Sequence, residues 1–235
     1  MKSSSPGRIY LSDQRGHVET SRIRRFCTFN FEDFINEHRI PVHNLCLLND
    51  DMLAGGQTTS MQIEKASYII IVPVTGEIKI TDSSGLPSML NVGELRVLNV
   101  PAESTIHIAN SYSTELVNYL VIGILCAQNL EHPISTFFEF DLDKQTDRFV
   151  EIVSTQVYGN EIADFKISIG RFAGRNEAVY KPLHKEAVFF AFVIGGAFEI
   201  EGRLLHERDG LALCEVDEIE VEALSNDAVV LVIEC

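Results

Sequence analysis

Seven histidines and five cysteines are the residues of this 235-residue chain best suited to hold a metal or to act as nucleophiles. His184 and Glu186 stand two apart just before an apolar run, and His206 follows Glu201. On paper this imitates a paired-ligand arrangement. A metal site needs imidazole and carboxylate groups converging on one ion. His184 and Glu186 lack two further ligands unless both His206 and Glu201 turn the same way, so the expectation is a solvated strand end. His107 stands between Ile106 and Ile108, so on a strand it points away from them. A slip of one residue in register is what it takes to bring it inward. His17, His38, His43 and His132 stand alone and read as surface or packing residues. No Gly-x-Ser-x-Gly and no glycine-rich phosphate loop occurs. Cys27, Cys46, Cys126, Cys214 and Cys235 are odd in number and form no Cys-x-x-Cys pair. They read as reduced, mostly buried thiols rather than a disulfide framework.

The elements that must position these residues are strands. Short β-branched runs punctuated by Gly fill residues 48–123: Tyr68-Ile-Ile-Ile-Val72, a turn at Thr75-Gly76-Glu77, Ile78-Lys-Ile80, and Leu120-Val-Ile122. This is the pattern of a closed antiparallel barrel. The second half repeats the order, from Ala187–Ile194 through Gly195-Gly196 and Asp209-Gly210 to Val229–Ile233. Ile219-Glu-Val-Glu-Ala223 alternates as a half-buried strand does. Two tandem all-β barrels account for this better than one large sandwich. The stretch 125–148, with His132-Pro133 and Asp141–Lys144, loses the strand pattern and reads as a connector. The expected division is a first barrel over 1–128, a connector over 129–150 and a second barrel over 151–235. Arg8–Leu11 reads as a short strand, Arg15-Gly16-His17 as a turn and Glu32–Glu37 as one helical turn. Asn49-Asp50-Asp51 reads as a turn closed by its own side chains. Arg22, Arg24 and Arg25 read as a solvated strand face.

The formal net charge of −15 argues against nucleic-acid binding through phosphates and against an anionic membrane surface. No run reaches the length of a membrane-spanning helix. Met1–Pro6 has no apolar core of a secretory signal, so a cytoplasmic protein is expected; of the oligomeric states the sequence leaves open, a monomer is favoured.

Arg8–Leu11, the Phe26-x-Thr28-Phe29-x-Phe31 stretch, Leu48–Asp51, Thr75-Gly76-Glu77, Asp82-Ser83-Ser84-Gly85, Asn110-x-x-x-Thr114-Glu115 and Asp209–Ala212 together resemble the pirin family over nearly the whole chain. The resemblance implies a bicupin, two cupin-type β-barrels in tandem. It also implies one iron in the first barrel, held by a His-Pro-His-Arg motif and a His-x-Glu motif, and no metal in the second. Counted back from Gly76-Glu77, the first motif falls on Gln62, Glu64 and Lys65. Counted back from Asn110, the second falls on Ile106 and Ile108. Of these only Glu64 is competent to bind a metal. The expectation is therefore a pirin-like protein with no metal and no other cofactor. Gln62, Glu64, Ile106 and Ile108 are expected to converge in a pocket with Lys65 at its rim, which takes a small organic ligand or a protein partner. The alternative is the metal-dependent quercetin 2,3-dioxygenase activity that some bacterial relatives imply.

Overall fold

The computed structural model describes residues 6–82, 85–126, 134–154, 156–158, 161–163 and 165–235. Apart from one 3-10 turn at Ser12–Gln14, the regular elements among them are β-strands. They are β1 (Gly7–Tyr10), β2 (Gly16–Glu19), β3 (Ile23–Cys27), β4 (Leu45–Leu53), β5 (Thr58–Ile63), β6 (Ser67–Thr75), β7 (Ile78–Thr81), β8 (Pro87–Leu90), β9 (Glu94–Val100), β10 (Ser104–Ala109), β11 (Val117–Leu125) and β12 (Ile134–Glu139). The chain continues with β13 (Arg148–Val153), β14 (Gln156–Tyr158), β15 (Glu161–Ala163), β16 (Lys166–Phe172), β17 (Glu177–Tyr180), β18 (Phe189–Gly195), β19 (Phe198–Ile200), β20 (Arg203–Leu205), β21 (Gly210–Leu213), β22 (Ile219–Ala223) and β23 (Ala228–Glu234). Gly16–Glu19 is thus a strand rather than a turn. The expected helical turn after Phe31 is instead a tight loop closed by a bridge between Phe31 and Phe34.

Two compact units result, residues 15–139 and residues 1–14 with 140–235. The first unit closes a seven-stranded sheet, β12-β9-β6-β11-β4-β3-β2, over a four-stranded one, β5-β10-β7-β8. The second closes β1-β21-β18-β23-β16-β13 over β17-β22-β19-β20. Apart from β2, which has no counterpart in the second unit, the orders agree element for element, which is the duplication read from the sequence: two cupin-type antiparallel barrels. Apolar residues from both sheets fill each interior. Met61, Ile71, Ile80, Leu98, Ile106 and Val121 do so in the first unit; Phe172, Phe189, Phe198, Leu211, Val221 and Val232 do so in the second. Burying one such side chain stabilises by roughly 1.5–3 kcal/mol. The hairpins β6–β7 and β18–β19 each turn on a glycine with positive φ, Gly76 at 74° and Gly196 at 78°. A Cβ at Gly76 would stand 2.7 Å from Val117 Cγ1, so glycine is required there on two counts.

The units divide the chain differently from the expected linear split. β1 pairs Gly7–Tyr10 with Leu213–Gly210 and so belongs to the second unit. β12 pairs with β9 and so belongs to the first. Each barrel completes its sheet edge with a strand that precedes the other barrel in sequence. Local patterning gives a strand's existence but not its partner, so a linear cut could not reveal this. His132 and Pro133, on which the connector rested, lie outside the described residues, as do Ser83 and Ser84.

Tyr10 anchors β1. It is buried and packs against Phe190, with ring centroids 5.6 Å apart. Tyr10→Ala is expected to cost about 3 kcal/mol. Hydrogen exchange should quicken in β18, β21 and β23 and stay unchanged in β4–β11. Loosening confined to the first unit would contradict the placing of β1 in the second.

Candidate functional site

β5 and β10 are antiparallel neighbours, with Ile106 opposite Met61, Thr105 opposite Gln62 and Ile108 opposite Thr59. Opposed residues share a face. Ile106 and Ile108 are fully buried inside the barrel with Met61 and Ile63. Gln62, Glu64 and His107 are exposed. The Thr105 hydroxyl donates to Gln62 Oε1 at 3.0 Å, outside the barrel. Gln62 and Glu64 therefore do not converge with Ile106 and Ile108, contrary to the expectation; the inward pair on β5 is Met61 and Ile63. The reason lies in β6. There Tyr119 pairs with Pro73 and Asn118 with Thr75, so a bulge leaves Val74 unopposed. A count back from Gly76 crosses that extra residue, and one residue is enough to exchange the faces. Pro73, which has no N–H to give a ladder, is tolerated at the bulge.

The four interior positions thus present a thioether and three aliphatic groups. Iron favours imidazole and carboxylate; a single soft thioether in an apolar wall is a poor donor set for it, and a desolvated ion there goes uncompensated. His184 and Glu186 are exposed in the loop before β18, not at a strand end, and His206 is exposed in the turn before β21. Among the described residues, no three His, Cys, Asp or Glu side chains gather closely enough to hold an ion.

Buried polar groups of the first barrel lie instead on β3, β4 and β11, with a further buried ion pair between Arg96 of β9 and Asp82 at 3.0 Å. Asn49, Asp50 and Asp51 are not a turn; they occupy the middle of β4. Leu47, Asn49, Asp51 and Leu53 alternate on the inward face. Arg25, directly opposite Asp51, is 6% exposed and grips it at two points: Nε to Oδ1 at 2.9 Å and Nη2 to Oδ2 at 2.8 Å. Burial pushes the Arg25 guanidinium down, and the Asp51 contacts outweigh this, leaving it above its usual value. Burial raises the Asp51 carboxyl despite Arg25. Tyr119, opposite Asp51 on β11, is raised by burial first and by the Asp51 charge second. On the other face Arg15 and Asn118 hold Asp50, at 3.1 and 2.7 Å. Of the three arginines expected on a solvated face, only Arg22 and Arg24 are exposed. The missed signal was parity: Arg25 alternates with Ile23 and Cys27, so it shares their inward face.

Along β5 and the start of β4 opens a cleft of about 510 Å³. Leu47, Met61, Ile63 and Ile69 form its apolar floor, and Gln62, Glu64 and Lys65 stand at its polar rim. Phe31, Glu32 and Cys46 form a wall. The Arg25 guanidinium lies 5.0 Å from the Phe31 ring centre, and its Nη1 lies 3.3 Å from Glu32 Oε1. Glu32 takes a left-handed φ of 48°, unusual for a residue with a Cβ, which its contact with Arg25 helps hold. The Cys46 thiol donates to the Gly123 carbonyl, and burial pushes it up to about 11.

Comparison with known proteins bears on this geometry. Residues 162–235 match a family described as the quercetinase C-terminal cupin domain. Quercetin 2,3-dioxygenase of Escherichia coli K12 is 22% identical over 225 residues, covering 95% of this chain and 97% of that protein. Among solved structures, the bacterial pirin YhhW from Escherichia coli in complex with nickel(II) superposes with a TM-score of 0.84 at 19% identity, covering 97% of this chain and 98% of that one. A quercetin 2,3-dioxygenase from Acinetobacter baumannii gives a TM-score of 0.71 at 13% identity, over 96% of this chain and 84% of its own. At these identities the structural likeness is one of fold.

Asp51→Ala should destabilise by about 3–5 kcal/mol in urea unfolding, because it strands a buried guanidinium. Arg25→Met with Asp51→Leu should recover most of that loss. Cys46 should alkylate far more slowly with iodoacetamide at pH 8 than a free thiol. Its thiolate is held back until pH nears 11, so the rate should keep rising between pH 9 and 11. Peptide mapping by mass spectrometry follows it.

Proposed function

The chain belongs to the pirin family of bicupins, and from that premise we propose that it is a non-catalytic member: a small-ligand-binding protein whose iron site has given way to apolar packing. The observation that carries this reading is the identity of the four inward residues of β5 and β10, namely Met61, Ile63, Ile106 and Ile108. They fill space where ligands would have to converge, and their donor set does not suit iron. The cleft above them supports the binding half of the proposal, being apolar below and polar at its mouth. A cytoplasmic, monomeric protein whose partner is a small organic molecule completes it. The charge of −15 speaks against nucleic acid as that partner.

The names of the relatives favour a second reading, a metal-dependent quercetin 2,3-dioxygenase. Metal content of the purified protein separates the two. Elemental analysis for iron, nickel, copper and manganese should find far less than one metal per chain. Titration with ferrous iron should stay featureless, and quercetin should persist with or without a chelator. Stoichiometric tight metal, or quercetin loss that a chelator abolishes, would overturn the proposal. A variant carrying Met61→His, Ile63→His, Ile106→His and Ile108→Glu should take up iron where the wild type does not.

A further inference from the structure

One side of the cleft is the edge of a strand rather than its face. Ser60 to Lys65 line it in unbroken succession, whereas a strand face offers alternate residues only. β5 is the outermost strand of its sheet and pairs with β10 alone. The Asn110 N–H donates to the carbonyl of Gln57, just before β5, and the Glu103 N–H donates to that of Ile63. Gln57 and Ile63, and with them Thr59 and Met61, thus turn their backbone groups to β10. These groups alternate in side along a strand. The N–H and C=O of Ser60 and Gln62 therefore point away from β10, and no protein partner meets them among the described residues.

This edge is undefended. Free edges are ordinarily blunted by charge, proline, a bulge or shortness. β13 carries Arg148, Glu151 and a bulge, β8 opens with Pro87, and β20 has three residues. β5 runs for six residues with no charge, proline or bulge. A chain laid along it meets donor and acceptor pairs two residues apart, at Ser60 and Gln62. A residue opposite Met61 shares its face. It turns, as Met61 does, to the apolar floor of Leu47, Ile63 and Ile69. A cleft of about 510 Å³ is the size of a small-ligand pocket and holds only a few residues. The net charge of −15 draws a basic peptide ahead of an acidic one. That charge already counts Arg39, buried next to Asn30 of the cleft wall, whose N–H its carbonyl accepts.

We infer that the cleft takes a short extended peptide, an apolar residue with a basic neighbour, which adds to β5 as an antiparallel strand. The peptide residues opposite Gln62 and Ser60 each exchange two hydrogen bonds with β5, and the apolar residue between them points to the floor. This inference rests on the ligand-binding reading and names the ligand's chemical class.

The probe is acetyl-Lys-Leu-Thr-amide. Calorimetric titration of the full chain measures affinity, and slowed Cys46 alkylation reports occupancy of the cleft. With Lys opposite Gln62 and Thr opposite Ser60, the Lys and Thr nitrogens face β5 and the Leu nitrogen faces away. Methylating the first two should weaken binding about tenfold, and methylating the Leu nitrogen should leave it unchanged. Acetyl-Glu-Leu-Thr-amide should bind more weakly than the probe. Gln62→Pro removes an edge donor and spares the β10 ladder, since proline fits an edge strand whose N–H faces outward. It should melt near the wild-type temperature and lose the peptide. If Gln62→Pro does not fold, Ser60→Pro carries the same test, and the methylation pattern needs no variant. An apolar control without a peptide backbone, 2-naphthol, tests the cleft itself. Protection of Cys46 by 2-naphthol alone overturns the inference and leaves ligand binding standing. So does indifference to which nitrogen is methylated, undiminished binding by the proline variant, or an acidic peptide that binds as tightly as the basic one. No protection by peptide or naphthol overturns both.

Discussion

The ion pair between Arg25 and Asp51 is the interaction on which the first barrel depends. Two charges out of water are tolerated only when their geometry is good and their remaining hydrogen-bonding groups are met. Here the guanidinium spans both carboxylate oxygens, and Asp51 sits directly opposite Arg25 in the ladder. A shift of β3 by one residue would expose one charge and strand the other, so the pair fixes that register. The same guanidinium holds Phe31 and Glu32, and these form a wall of the cleft. Strand register and cleft shape therefore share one cause. The second barrel has a comparable device: Lys166 and Glu234 are opposed on β16 and β23, and Tyr180 donates to the same carboxylate.

Charge inside the barrel and its absence at the β5–β10 positions are two sides of one design. The buried charges of this unit are paired, Arg25 with Asp51 and Arg96 with Asp82. The positions on β5 and β10 hold only groups that need no partner. A site that binds a metal requires uncompensated donors poised for an ion, and such donors destabilise the empty protein. Met61, Ile63, Ile106 and Ile108 are groups that need no partner, packed inside the barrel.

The architecture was legible because it is written in repeats. Gly-punctuated β-branched runs recur in the same order in both halves, and Gly76 and Gly196 mark equivalent hairpins. Detail failed where one residue decides a face. The bulge at Val74 turned a correct motif distance into the wrong parity on β5. On β4, Asn49-Asp50-Asp51 carries the local propensity of a turn, yet tertiary pairing with Arg25, Arg15 and Asn118 overrides it. Arg25 could have been placed inward from its alternation with Ile23 and Cys27.

The pairing of β1 with the second barrel bears on the order in which the protein is made. β1 is synthesised before every other strand of its barrel, and its partner β21 is encoded about 200 residues later. At roughly 5–20 residues per second, that is a wait of about 10–40 s. Through that interval Gly7–Tyr10 is a strand without a sheet, while the first barrel, whose strands all lie within residues 15–139, can close. The second barrel cannot finish until it recovers a segment synthesised before everything else in it.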